Sequence, residues 1–229
     1  MSFSLSPLRM HPFPMHPDSV NSPQGRWPRF RAAVRDSLGV HRRLHPAWRV
    51  VAWLAVALAL ACALYPSNHA QEYLEPRGGH HDPKVVLVED AVRHVNTVVA
   101  VALPVINRDL VGLAQLAVVT VVGTVATHIP KRLLNDWVVA GTRLGQRPQD
   151  LDSRHNMPSG HSSMASAAAW FACRRYGWRW ACLLLPITAA TMWARVMLDA
   201  HTVSAVLTGL FVGAAAVLFF VTPHRRTGV

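Results

Sequence analysis

Two histidines, His161 and His201, and four basic residues, Lys131, Arg143, Arg147 and Arg195, lie in the second half of this 229-residue chain, at or near the ends of apolar runs. Fixed cations can hold the oxygens of a phosphoryl group while two imidazoles act as nucleophile and general acid, so this inventory suits a phosphate monoester or a diphosphate. The stretch Pro158-Ser159-Gly160-His161 adds a helix start. Ser159 is a good N-cap and Gly160 lets another group approach the backbone, where free N–H groups and the helix dipole attract anions. Plainer readings exist: Lys131-Arg132 as an interfacial anchor, Ser159 as a cap and nothing more, and His201 as a lone interfacial histidine. A cap accounts for Ser159 but leaves His161 unexplained. No Asp/Glu-rich cage or zinc-spaced Cys/His set accompanies these residues, so the chemistry is expected to need no metal and no cofactor.

The elements that must position these groups are membrane helices. Hydrophobic residues make up 51% of the chain and the mean hydropathy is +0.20, which points to an all-α membrane protein. Apolar runs near the roughly 20 residues that cross a bilayer occur at 48–65, 85–106, 110–129, 161–173, 180–198 and 203–221. The second is interrupted by Glu89, Asp90, Arg93 and His94, and the fourth is short. About six spans are expected, or five if one of these two lies in the interface or the protein interior. Ala165, Ser166, Ala167, Ala168 and Ala169 suit close helix contact within such a bundle.

The formal charge of +11 raises nucleic acid as a partner, but its distribution argues against it. Lys and Arg gather before Val50 (eight), at Arg108, between Cys173 and Arg179, and at Arg225 and Arg226. The positive-inside tendency places all of these, and both termini, in the cytoplasm. The candidate residues then share the opposite, periplasmic face. Residues 1–46, rich in proline and arginine, read as a disordered basic tail, 47–222 as the membrane domain and 223–229 as a second cytoplasmic tail. The first run begins too far into the chain for an ordinary cleaved signal and is expected to remain as a span. Cys62, Cys173 and Cys182 read as small core hydrophobes.

Lys131, Arg147-Pro148, Pro158-Ser159-Gly160-His161, and Arg195 followed after five residues by His201 stand in an order that resembles the type 2 phosphatidic acid phosphatases (PAP2). That family shares its catalytic core with the vanadium haloperoxidases. The resemblance covers roughly residues 110 to 210, and it is the three elements in order, more than the four-letter middle one, that make it specific. It implies a helical membrane core in which His201 attacks phosphorus and forms a phosphohistidine. His161 would protonate the leaving oxygen, and Lys131, Arg147, Arg195 and the backbone of Ser159 and Gly160 would hold the phosphate. Around Leu144 to Pro148 and Asn156 to Ser163 the wording looks most like the lipid A phosphatase branch.

Two departures stand out. Fifteen residues separate Lys131 from Arg147, more than is usual in the family, so Arg143 or Arg132 is an alternative phosphate contact. Ala205 occupies the position of the usual Asp that orients the nucleophilic imidazole; in the serine-protease template, losing that carboxylate costs on the order of 10⁴ in turnover. Asp199 or Ser204 orienting the ring, a tolerated non-carboxylate, or a weakened site are the competing accounts. The expected function is a metal-independent lipid phosphatase of the bacterial inner membrane, its partners the bilayer and a lipid phosphate. A phosphotransferase, or a lipid-phosphate-binding protein without turnover, is the alternative.

Overall fold

In the computed structural model, residues 25–65, 75–150 and 152–224 are described, and they are predominantly helical. Nine α-helices are seen among them: α1 (Arg26–Leu38), α2 (Val40–Arg43), α3 (Pro46–Ala63), α4 (Pro83–Asp90), α5 (Val95–Ile106), α6 (Leu110–Leu133), α7 (Gly160–Tyr176), α8 (Ala181–Met197) and α9 (Val203–Phe220). A two-stranded hairpin, Val138–Val139 with Thr142–Arg143, sits in the connection between α6 and α7.

Among the described residues four helices are long and apolar enough to cross a membrane: Pro46–Ala63, Leu110–Leu133, Trp178–Met197 and Val203–Phe220. The other two expected spans differ from them for separate reasons. The run at 85–106 breaks at Ala91 into α4, a 3₁₀ turn at Val92–His94 and α5, with Glu89 and Arg93 half-buried on either side of the break and Asp90 and His94 exposed. Helix α7, 17 residues long and so about 25 Å at 1.5 Å per residue, is the central helix. It buries Ser162, Ser163, Ala165, Ser166, Ala168, Ala169 and Ala172 against its neighbours. The small residues expected at close contacts are there, except that Ala167 stays half-buried beside a cavity.

Helix α9 packs most extensively on α7 and α3, and glycine makes the first contact possible. A Cβ on Gly209 would fall 2.4 Å from the Ser159 carbonyl oxygen, and one on Gly213 would fall 2.3 Å from that of Ser163. This Gly-x-x-x-Gly spacing, which the sequence reading passed over, lets the backbones touch in a setting where lipid gives no hydrophobic drive for helix association. On the other side Ala52 and Ala55 of α3 meet Ala215 and Leu218 of α9. Asn96 of α5, fully buried, donates to the Ala165 and Leu184 carbonyls and to Thr188 Oγ1, tying α5, α7 and α8 together.

At the end of the bundle away from His161, Asp109 caps α6 through the Gly112 N–H at 2.8 Å and is bound by Arg175 and by the Tyr176 hydroxyl. Burial alone would raise this carboxyl, but the Arg175 guanidinium, the Gly112 N–H and the Tyr176 hydroxyl together hold it below the usual carboxylate range.

Two expectations need correction. The disordered reading of 1–46 fails for 26–43, which form α1 and α2. Phe30, Ala33, Val34 and Ser37 recur at helical spacing, and Ala33 and Ser37 are buried in a helix that packs on α6. Residues 1–24, and 225–229 of the expected C-terminal tail, lie outside the described residues. Of the three cysteines, Cys173 is buried and Cys62 half-buried, but Cys182 is exposed.

Candidate active site

Lys131 occupies the last turn of α6, just after Pro130 in the helix. Arg147 is carried by the loop between α6 and α7, whose hub is buried Asn135: its carbonyl accepts from the Gly145 N–H at 3.2 Å and its Oδ1 from the His155 N–H at 2.8 Å. Gly160 and His161 open α7, Arg195 lies in the last turn of α8, and His201 sits in the short turn before α9. A single cavity of about 590 Å³ is lined by Lys131, Arg147, Gly160, His161, Arg195 and His201 together.

Arg147 Nε and Arg195 Nε are buried without a hydrogen-bond partner. Buried donors normally have acceptors, so two such atoms beside a lysine and a helix N-terminus form a site suited to an anion. The first helical amides add to it. Ser159 contributes differently from the expectation: its side chain makes no capping bond and instead accepts from Ser162 Oγ at 3.1 Å, and its N–H is committed to the Ala205 carbonyl at 3.0 Å. Arg143 is placed elsewhere. It braces the loop, donating to the carbonyls of Ser153 at 2.7 Å and Asn135 at 3.3 Å, and it does not line the cavity.

The orientation of His201 answers the question raised by Ala205. His201 is 2% exposed, and its Nδ1 lies 2.9 Å from the main-chain carbonyl oxygen of Asn156. A carbonyl can only accept, so Nδ1 carries the proton and Nε2 keeps its lone pair. Asn156 is itself fixed, its Nδ2 donating to Thr202 Oγ1 and its Oδ1 accepting from the Thr202 N–H, both at 3.2 Å. Asp199 is taken by Arg77, whose N–H and Nη1 donate to it at 2.9 and 2.6 Å, and Ser204 Oγ lies 2.9 Å from Thr202 Oγ1. Ala205 is fully buried beside Ala63 and Met157. Burial, then the charges of Lys131, Arg195 and Arg147, pushes His201 well below the ordinary histidine value, against a smaller opposing effect of the Asn156 bond.

Two residues that the sequence reading saw only as interruptions belong to the same cluster. Glu89 pairs with Arg195 Nη1 at 2.7 Å and with Arg93, and Arg93 Nη1 reaches His161 Nε2 at 3.0 Å. Charged residues inside an apolar run were the signal that could have found them. Among the described residues no group of three or more His, Cys, Asp or Glu is placed to hold a metal ion.

Below the polar end, the cavity continues between α5 and α6 along Thr97, Ala100, Val101, Leu116, Val119 and Gly123. Val101 and Thr120 on its rim are exposed, so it opens on the flank of the bundle.

The chain is 45% identical over 137 residues, 60% of its length and 71% of the relative's, to a lipid A 1-phosphatase of Helicobacter pylori strain 26695, and 44% identical over the same extent to that of strain J99. It is 32% identical over 120 residues, 52% of its length and 60% of the relative's, to a lipid A 4'-phosphatase of strain J99. No solved structure matches it. The sequence profile of the PAP2 superfamily matches residues 112–227, a stretch that contains Lys131, Arg147, His161, Arg195 and His201, and this chain, a membrane-embedded phosphatase, belongs to that superfamily.

Proposed function

We propose that this phosphatase removes a phosphate from lipid A, or from a lipid of the same build, at the periplasmic face of the bacterial inner membrane through a phosphohistidine intermediate. One observation carries the reading: the cavity that gathers the cations and both histidines runs on into an apolar groove open on the side of the bundle. Leu116, at its far end, is 15 positions from Lys131, roughly 22 Å along the helix axis, a depth suited to acyl chains whose head group stays among the cations. The lipid A phosphatase relatives support the same substrate class.

His201 Nε2 attacks phosphorus, and the leaving oxygen takes its proton from His161. Lys131, Arg147, Arg195 and the first amides of α7 neutralise the charge that develops on the phosphoryl oxygens. Water, activated by the now neutral His161, hydrolyses the phosphohistidine. The Asn156 carbonyl at Nδ1 supports turnover over a binding-only role, because it does the orienting otherwise left to a carboxylate.

The test is phosphate release from lipid A by the purified protein in mixed micelles, with mass spectrometry of the product. His201→Ala is expected to lose at least about 10³-fold, and release at the parental rate by that variant would overturn the nucleophile assignment. A lipid product unchanged in mass with the parent protein would overturn the substrate.

A further inference from the structure

Arg93 is held on three sides. Its Nη1 is paired with Glu89 and lies 3.0 Å from His161 Nε2, while its Nε donates to His94 Nε2 at 3.2 Å. Glu89 in turn binds Arg195 Nη1, so one carboxylate joins a cation of the cradle to the arginine that touches the acid. A guanidinium has only protons to give, and an imidazolium has no lone pair to receive one. The contact between Arg93 and His161 Nε2 therefore belongs to neutral His161, whereas the acid step requires the imidazolium.

We propose that Arg93, steered by Glu89, is the positioning residue of the general acid: it orients the neutral His161 ring through Nε2 and, staying paired with Glu89, lets go of the ring when a phosphoryl group is bound, which frees Nε2 for protonation. This rests on the role of His161 given above. The groups facing the ring are Arg93 and His94 from the segment before α5, Lys131 from α6 and Arg195 from α8, with Glu89 between two of the arginines. A dianionic phosphoryl group entering among these cations offsets their charge and favours a charged His161. Nε2 takes a proton from solvent or from a monoanionic substrate. In the transfer step the P–N bond to His201 forms and the P–O bond breaks. Its electron pair stays on the leaving oxygen, which takes the His161 proton, and His161 returns to the neutral form that Arg93 holds.

A poor leaving group needs the acid, and a good one does not. The full-length protein in detergent micelles is assayed with two probes, a lipid phosphate with an alkyl or glycosyl leaving group and p-nitrophenyl phosphate. The readout is kcat/KM, which ends at departure of the leaving group and so leaves out the phosphohistidine hydrolysis common to both probes. Arg93→Ala is expected to lower it by about 100-fold on the lipid and by less than about threefold on the aryl ester, with the same selectivity as His161→Ala, the span being set by what general acid catalysis contributes. Arg93→Lys, which keeps a donor, is expected to recover part of the loss. If Arg93→Ala slows both probes equally while His161→Ala is selective, Arg93 is only structural and the inference fails. If His161→Ala also slows both equally, the acid assignment itself fails and takes this inference with it. Arg93→Gln, read against the same two outcomes, serves if the alanine variant does not fold.

Discussion

His201 is enclosed by protein and faces Lys131, Arg195 and Arg147. Both conditions disfavour the imidazolium, so the ring stays neutral, with Nε2 available, as pH falls through the ordinary histidine value near 6.5. In ¹⁵N-histidine NMR of the purified protein its signal should show the Nδ1–H tautomer at pH 6.5, and a half-protonated ring there would contradict the arrangement. Stability follows with a definite sign. The unfolded chain takes up a proton below about pH 6.5 that folded His201 refuses, so this residue lowers the melting temperature as pH drops below that value. Ala205→Asp is expected to give no increase in rate. The Asn156 carbonyl already serves Nδ1, and a carboxylate placed beside Ala63 and Met157 would have to be desolvated to compete for it. A faster Ala205→Asp enzyme would show that the carbonyl is an inferior substitute. Lys131, Arg147, His161, Arg195 and His201, which line the polar end of the cavity, were legible in the sequence because their types and spacing announce an anion site. The orienting group was not, since a main-chain carbonyl leaves no signature in residue type.

Among the elements, α7 and α9 set the distance between the two histidines, and Gly209 and Gly213 are what allows them to touch. Gly209→Ala should push α9 away from Ser159, costing about 1–3 kcal/mol as overpacking does, and should lower kcat more than it raises KM, because His201 and the cradle move apart. Gly123→Ala, whose added Cβ would meet no atom within 4 Å, is the control, and equal kinetics in the two variants would separate helix contact from catalysis. The apolar spans were readable from composition, and Glu89, Asp90, Arg93 and His94 marked the run at 85–106 as interrupted, but the position of the break was not readable. Its period is that of a span, and only the structure shows Glu89 and Arg93, on either side of Ala91, facing inward to Arg195 and His161. Helix α1 was hidden for the opposite reason, since its arginines outnumber the apolar positions that bury it.

For the molecule as a whole, the groove between α5 and α6 joins the polar end to the flank. Gly123→Phe would fill it, since the space beside that backbone is open. Turnover of a lipid phosphate is expected to fall about tenfold, equivalent to about 1.4 kcal/mol of lost contact, with p-nitrophenyl phosphate unaffected. Loss of both activities would place the side chain against the reacting centre instead. Because the groove opens sideways, the quantity that governs encounter is the mole fraction of substrate within the membrane plane. Adding inert lipid or detergent at constant bulk concentration should therefore slow the enzyme by dilution in two dimensions, and the dephosphorylated product, leaving by the same lateral route, competes with the next substrate for the opening.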